Sequence, residues 1–398
     1  MTTTRGGDHP PDHEAAVGPL VRLTPDCSPK LLEKPCVYSR STDELYFINS
    51  QALAFLEKCA RGATTPDSDE DRAFVDFCLE ENILETAKEP APRALCLRQS
   101  PVPSLRYLLL HITDRCNLKC RHCFLGEGGS RELSLPEIVA IADQFEAMQG
   151  LRLLISGGEP LLHKSFWEVN DYLRRKDLRV VLLTNGTLID EETARRLSAQ
   201  EVQISLDGMR EAHDHLRGWG SFERSVAAIR HLRSAGVDVS VATMIHQRNL
   251  DDFDVLEELV RELGAREWSI DLPSAVGRLA DNSDLLVDPR SAGPFLRRSY
   301  GGAIHEPLAS FACGAHLMAV MADGKVARCG FYADEAVGSI EAGLKPCWQK
   351  IAKTPLSDLE CNCQFVEECR GGCRFRAHGY NKPYGADLCQ CYRYGVLE

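Results

Sequence analysis

Three cysteines, Cys116, Cys120 and Cys123, stand in the run Thr-Asp-Arg-Cys-Asn-Leu-Lys-Cys-Arg-His-Cys-Phe that ends at Phe124. Three thiolates in one loop suit two kinds of site. A zinc ion would need one more ligand to close its tetrahedron, and His122 inside the run is the nearest candidate. An iron-sulfur cubane has four irons, so three thiolates leave one iron open to a ligand that is not protein, and chemistry becomes possible there. Structural zinc normally uses paired knuckles on separate hairpins, whereas this triplet directly follows one apolar run, Leu105 to Thr113. That placement favours the cluster.

The chain has 398 residues, a formal charge of -12 and 17 cysteines. Phosphate binding needs a basic face, and the acidic balance with no sustained Lys/Arg run speaks against nucleic acid as a partner. No charged segment followed by an apolar stretch opens the chain, and no run of about 18 uncharged apolar residues occurs, so no membrane segment and a cytoplasmic location are expected. In a reducing compartment dense thiols bind metal more often than they pair. Nine of the cysteines lie between Cys313 and Cys391, which marks a metal-binding region.

The elements that must position these thiolates follow from periodicity. Residues 1–18, rich in Thr, Gly, Asp, Pro and His, are expected to form a mobile tail. Residues 19–90 read as a small unit of two strands, Cys36 to Ser39 and Glu44 to Ile48, and two helices. Ser50 is expected to start the first helix and Ser68 the second, which carries Phe74, Val75, Cys78 and Leu79 on one side. A proline-rich linker covers 91–104. From 105 to 272 strands and helices alternate, with strands at Leu105–Thr113, Leu151–Ser156, Val180–Thr184, Val202–Ser205, Val237–Met244 and Glu267–Ile270, the pattern of a parallel sheet covered by helices. Ser134 and Glu137 form a capping box, and Gly150 is expected as the left-handed residue that ends that helix. A bridging segment at 273–310 leads to the cysteine-rich region at 311–398.

In parallel α/β folds ligands collect beyond the carboxyl ends of the strands. Four polar loops end four successive strands here: the Cys triplet, Ser156-Gly157-Gly158-Glu159-Pro160, Thr184-Asn185-Gly186, and Ser205-Leu206-Asp207-Gly208. The glycines are expected to let backbone amides approach a ligand, Glu159 sets a carboxylate beside them, and Ser205 and Asp207 suit ribose hydroxyls.

Together these motifs resemble those of the radical S-adenosylmethionine enzymes. The triplet Cys116, Cys120 and Cys123 with the aromatic Phe124, the Gly157 to Pro160 motif, and the strand-end residues Thr184, Ser205 and Asp207 carry the likeness, and Arg217 resembles an arginine that some subfamilies aim at the cofactor's carboxylate. The resemblance implies an α/β fold with a partial (β/α)6 TIM barrel. It implies that S-adenosylmethionine chelates the open iron of a 4Fe-4S cluster, with the Glu159 loop holding its amino group. Cleavage would then yield a 5′-deoxyadenosyl radical that abstracts hydrogen from substrate, the electron coming from a reductant such as flavodoxin or ferredoxin.

Cys313, Gly324-x4-Cys329, Cys363-x5-Cys369-x3-Cys373 and a terminal Cys389 or Cys391 resemble a SPASM domain with two auxiliary 4Fe-4S clusters. Two full clusters take eight thiolates and nine are present, with Cys347 or one member of a C-x-C pair as the spare. In this chain Cys361-Asn362-Cys363 stands where the family commonly has C-x2-C, and no cysteine falls between Ala303 and Ala312. One cluster is then expected to use Cys347 or to keep an open iron. The N-terminal unit resembles a winged-helix recognition element that holds the leader of a ribosomal precursor peptide. The whole implies an oxidoreductase that forms a thioether or carbon-carbon crosslink in such a peptide. The alternatives are a tetrapyrrole decarboxylase, a sulfatase-maturing oxidase, a non-catalytic electron-transfer protein and a zinc-dependent nucleic-acid binder.

Overall fold

The computed structural model describes residues 19–302, 305 and 311–397; the tail expected over 1–18 and part of the bridging segment lie outside them. The N-terminal unit runs β1 (Val21–Leu23), β2 (Cys27–Leu31), β3 (Pro35–Ser39), β4 (Glu44–Phe47), α1 (Ser50–Arg61), α2 (Asp69–Glu80) and β5 (Leu84–Thr86). β2, β3 and β4 form an antiparallel sheet with β4 at its edge, and β1 pairs with β5. Ser68 caps α2 by accepting from Asp71 N at 3.0 Å. The cap of α1 is Asn49 instead of Ser50, because its side chain reaches Ala52 N at 2.8 Å while Ser50 is already helical. Val21, Val37, Phe55, Leu56, Cys59, Val75 and Cys78 close a core inside the unit.

The central region continues as β6 (Tyr107–His111), α3 (Leu135–Ala147), β7 (Arg152–Ser156), α4 (Phe166–Leu173), β8 (Arg179–Thr184), α5 (Glu191–Arg196), β9 (Glu201–Ser205), α6 (Arg210–Arg217), α7 (Ser221–Ser234), β10 (Asp238–Met244), α8 (Phe253–Glu262) and β11 (Glu267–Asp271). The strands from β6 to β11 pair in chain order and all in parallel. This is the partial barrel that the family resemblance implies. One face of each strand packs under the helices: Leu108, Leu110, Leu153, Ile155, Ile204 and Val241 join Ile138, Ile141, Phe145, Ile229 and Leu256 in the main core.

The opposite face is polar at its amino-terminal end, and there the N-terminal unit closes the barrel. Asp43, at the tip of the β3–β4 hairpin, is 6% exposed and adopts a left-handed φ of 65°. Its carboxylate accepts from Tyr38 Oη at 2.5 Å, pairs with Arg152 of β7, and lies 3.4 Å from His305 Nε2 and 4.0 Å from Arg179 Nε. Arg179 also binds Glu201 of β9 at 2.8 Å and donates to the hairpin carbonyl of Arg40 at 2.6 Å. Burial opposes ionisation of Asp43, yet the bonds from His305 and Arg152 hold its carboxyl well below the usual carboxylate range.

After β11 come α9 (Pro289–Ala292), β12 (Leu317–Val320), β13 (Lys325–Ala327), β14 (Gly338–Ser339), α10 (Leu344–Lys350), α11 (Val366–Cys369), α12 (Arg374–Gly379) and α13 (Leu388–Arg393). β12 pairs in parallel with β6, and β13 and β14 continue antiparallel, so the cysteine-rich region extends the barrel sheet to nine strands. Gly150 does not end α3 in the left-handed region as expected; Gln149 does, at φ 66°. Gly150 is needed for space, since a Cβ there would lie 2.3 Å from the Phe145 ring. Among the described residues no helix is long and apolar enough to cross a membrane.

Replacing Asp43 by Ala leaves two buried guanidinium groups without their shared carboxylate, which costs about 3–5 kcal/mol by the usual penalty for breaking a buried pair. Asp43→Asn, which tolerates the left-handed backbone, costs less. Urea unfolding of the two variants checks both the size and the order of these losses.

Candidate metal and cofactor centre

The Cys116, Cys120 and Cys123 loop leaves β6 through Thr113, Asp114 and Arg115, and the backbone ladder between β6 and β7 carries on into it. Gly158 N donates to Thr113 O at 2.7 Å and Glu159 N to Arg115 O at 2.8 Å. This fit requires glycine: a Cβ on Gly157 would stand 2.4 Å from Thr113 O, and one on Gly158 would stand 2.5 Å from Arg115 O. The amides of Gly158 and Glu159, expected to face a ligand, are thus taken by the cluster loop itself.

Glu159 is fully buried, with relative exposure of 0%. Its carboxylate accepts from Thr184 Oγ1 at 2.9 Å, Asn185 N at 3.0 Å and Leu161 N at 3.2 Å. Burial pushes its carboxyl up to about 7 against the lowering effect of these donors. Thr184 therefore meets the Glu159 carboxylate. Asn185 extends the link, donating through Nδ2 to Asn117 Oδ1 at 2.9 Å beside Cys116, and Asn117 donates to Thr187 Oγ1 at 2.8 Å. Asn117 and Asn185 were not singled out from sequence, although Asn-Leu within the triplet and Thr-Asn-Gly at a strand end contained them.

Asp207 and Arg217 form a second anchor. Asp207 is fully buried, pairs with Arg217 and accepts from Met244 N at 2.7 Å. Burial works against its charge, but Arg217 holds its carboxyl far below the usual range. Arg217 Nη1 lies 3.9 Å from Cys120 Sγ and Nη2 lies 3.5 Å from His122 Nε2. His122, His213 and His246 crowd this pair, and burial first, then Arg217, pushes His122 down to about 3, so it is neutral. Ser205 is half-buried at the end of β9 with its hydroxyl unpartnered among the described residues. The Phe124 ring packs on His111 at 5.9 Å and Phe331 at 5.4 Å.

The thiols of Cys116, Cys120 and Cys123 lie within electrostatic reach of one another, and Cys116 also senses Glu159. Burial pushes Cys116 up to about 11, so the thiols release protons as metal binds. Three soft donors on one loop, a cation beside one of them and strand-end polar groups around them fit a cluster with one iron left to S-adenosylmethionine. Cys116, Cys120 and Cys123 would hold the cluster, with Ser205, Asp207, Arg217 and the Gly157–Glu159 loop around the nucleoside.

The C-terminal cysteines separate into two groups. Cys361 and Cys363 lie within electrostatic reach of Cys369 and of Cys391, and Cys369 within reach of Cys391, although among the described residues no three His, Cys, Asp or Glu side chains stand together closely enough to hold a metal ion. Cys313, Cys329 and Cys373 form a second group of three. Both members of the Cys361-Asn362-Cys363 pair thus join one group. Cys389 and Cys391 lie two positions apart on α13, about 200° round the helix. Only Cys391 faces its group; Cys389 is buried and bonded by Tyr380.

Cys347, read from sequence as either the spare thiol or a ligand of one cluster, is a core residue: it is fully buried on α10, and its Sγ donates to Ser339 O at 3.5 Å. Asp387 ties the two groups together. It accepts from Cys373 N at 2.8 Å and Arg376 Nη2 at 2.8 Å, and it caps the helix that carries Cys391.

A parallel barrel with a three-thiolate loop and nucleoside-sized polar loops at its carboxyl rim defines a cluster-dependent nucleoside enzyme. The Radical SAM superfamily profile matches residues 110–260. Mycofactocin maturase MftC of Mycolicibacterium smegmatis is 30% identical over 325 residues, covering 72% of this chain and 83% of that protein. An AdoMet-dependent heme synthase of Nitratidesulfovibrio vulgaris is 35% identical over 193 residues, 46% of this chain and 53% of that one. Among solved structures, Streptococcus suis SuiB bound to the precursor peptide SuiA aligns with a TM-score of 0.66 at 13% identity, covering 93% of this chain and all of that one. The structure of native anSMEcpe with bound AdoMet and the Cp18Cys peptide aligns with a TM-score of 0.58 at 20% identity, over 73% and 95% of the two chains. The chain belongs to the radical SAM superfamily, whose members carry a 4Fe-4S cluster and S-adenosylmethionine.

Two outcomes follow from this geometry. The folded Glu159 carboxyl keeps its proton up to about pH 7, whereas the unfolded one loses it near 4.5. Its contribution is therefore complete below the lower value and declines as pH rises toward the upper one. The melting temperature of ligand-free protein should fall across that window, with a shallower slope in Glu159→Gln. Iron and sulfide analysis of reconstituted protein should find Cys347→Ala unchanged in metal content but about 1–2 kcal/mol less stable, as for loss of a small buried group. Cys369→Ala should lose about one cluster's iron.

Proposed function

We propose that this enzyme modifies a ribosomal precursor peptide, with residues 19–90 holding the leader, residues 105–272 generating the radical, and residues 311–398 carrying two auxiliary 4Fe-4S clusters. Cys361, Cys363, Cys369 and Cys391 would complete one cluster. Cys313, Cys329 and Cys373 would hold the other with one iron left free. The observation that carries the reading is a strand edge built onto the base of the barrel. β4 borders no further strand among the described residues, and beside it stand Phe47 and Phe77, 38% and 40% exposed. Tyr46 packs on Phe77 with ring centres 5.9 Å apart. An extended peptide adds to such an edge through main-chain bonds and places alternate side chains on the aromatic surface.

A cavity of about 420 Å³ opens between the cluster loop and the cysteine-rich region, lined by Phe124, Gly330, Phe331, Tyr332 and Phe375 among others. When bound, the cofactor and its cluster supply a 5′-deoxyadenosyl radical that takes a hydrogen from substrate. The aromatic wall would exclude water and hold the reacting segment. Forming a thioether or carbon-carbon crosslink then releases a further electron and a proton. Cys329 stands next in sequence to the wall residue Gly330 and Cys373 two residues before the wall residue Phe375, where an electron acceptor is useful. A flavodoxin or ferredoxin would supply the reducing electron, in the cytoplasm. The maturase relative supports this reading over 325 residues, whereas the heme synthase match leaves more than half of this chain outside it.

Removing the N-terminal unit would also remove Asp43 from the barrel base, so point substitutions give the better test. Phe47→Asp and Phe77→Ala should weaken binding of a precursor peptide, sought among short reading frames flanking the gene, by about tenfold, the size of a modest interface hot spot. Peptide-free cleavage of S-adenosylmethionine should persist in both. Fluorescence anisotropy of labelled peptide and 5′-deoxyadenosine release measure the two; unchanged peptide affinity would sink the leader-binding role.

A further inference from the structure

A buried polar atom normally meets a partner, and an exception needs a reason. Of the buried side-chain nitrogens that lack one among the described residues, most belong to side chains bonded through another atom, as His122 is to Arg217 and His213 to the Asp207 amide. His111 differs. It is 1% exposed, and neither of its ring nitrogens makes a hydrogen bond among the described residues. Two unmet nitrogens add nothing to the fold, since an apolar side chain of similar size would pack there at lower cost.

The fold shows where the ring looks. Leu108 and Leu110 turn under the helices, so alternation along β6 puts Leu109 and His111 on the opposite face, toward the barrel interior. The imidazole meets the Phe124 ring edge to face at 5.9 Å, and its Nε2 lies 3.5 Å from where a Cβ on Gly330 would stand. Glycine leaves that nitrogen uncovered. Phe124 and Gly330 both line the cavity of about 420 Å³ beside the cysteine-rich region. Thr184 and Ser205, by contrast, end β8 and β9, whereas β6 borders β12. His111 thus stands on the side of the barrel that faces the cavity, away from those two strand ends.

Burial pushes the ring down to about 4, against the Gly157 backbone, which favours a proton on it. The imidazole is therefore neutral near pH 7 and keeps one nitrogen lone pair. A neutral imidazole with its lone pair unused, set behind the wall of a substrate-sized cavity, has the form of a proton acceptor awaiting a donor.

We propose that His111 is a catalytic residue that takes up the proton released when the crosslink closes in this cavity, an inference that rests on the peptide-modifying reading above. The substrate carbon that has lost a hydrogen atom forms its new bond to a thiol sulfur or an aromatic carbon of the peptide. The bond from that atom to its hydrogen breaks. The proton goes to the His111 lone pair, and the one surplus electron goes to an auxiliary 4Fe-4S cluster, which is reduced.

Two measurements on the full, reconstituted chain test it. Without peptide, His111→Leu should melt no lower than the parent, because it removes two unmet nitrogens. A lower melting temperature would make the ring a structural part and overturn the proposal. With a precursor peptide from short reading frames flanking the gene, crosslinks formed per 5′-deoxyadenosine released should fall about a hundredfold in His111→Leu and His111→Ala, the low end of the range for a general base. Added imidazole should restore that ratio in His111→Ala, whereas benzene, which fills the same space without a lone pair, should not. A ratio equal to the parent's, or equal rescue by benzene, removes His111 from the chemistry. A parent chain that releases 5′-deoxyadenosine but crosslinks no such peptide overturns the peptide reading, and this proposal with it.

Discussion

The architecture depends on one buried carboxylate. Glu159 gathers the hydroxyl of Thr184, the amide of Asn185 and the amide of Leu161, while its own amide binds the carbonyl of Arg115 just before Cys116. Three strand-end loops are therefore fixed to one another through a single residue. A charged group at that depth is costly, and burial raises its carboxyl accordingly; several donors in fixed positions offset much of that cost. The thiolate loop needs such a foundation, because three separate cysteines fit one cluster only if their backbone does not drift.

A second buried charge system closes the other end of the barrel. Arg152, Arg179 and Glu201 point inward from three neighbouring strands, and none of them could be buried without the others. Asp43 enters from a different unit to complete the balance. The strand edge that would hold a leader begins at the next residue, Glu44, so the recognition surface and the barrel base share one hairpin. The two ends of the barrel thus use the same device, a buried acid held by donors from separate elements.

The strands of the barrel were legible because each is an apolar run set between well-marked helices, and the capping box of Ser134 and Glu137 is reproduced by the structure. The triplet stood out by its spacing as three thiols in one loop, and the structure sets that loop after β6 at the carboxyl end of the strands. What sequence could not show was direction. Gly157 and Gly158 looked like ligand-facing residues, but their bare backbones press on Thr113 and Arg115. Cys347 could be read as spare or as ligand because it stands among other cysteines, and its helix turns it into the core. β12, only four residues of Leu-Met-Ala-Val, is too short to carry a period, and its partner β6 is some two hundred residues away in sequence.

That late pairing bears on how the chain is made. β6 leads directly to Cys116, and on one side it has no neighbour until β12 joins it. A ribosome that has finished the whole barrel has still not produced that neighbour, so the strand that leads to the Cys116, Cys120 and Cys123 loop emerges as a bare sheet edge, the kind of surface that pairs wrongly with other chains. Its cover comes from the same segment that leads to Cys329. The nascent protein thus covers the strand before its three-cysteine loop only once the cysteine-rich region has begun to fold.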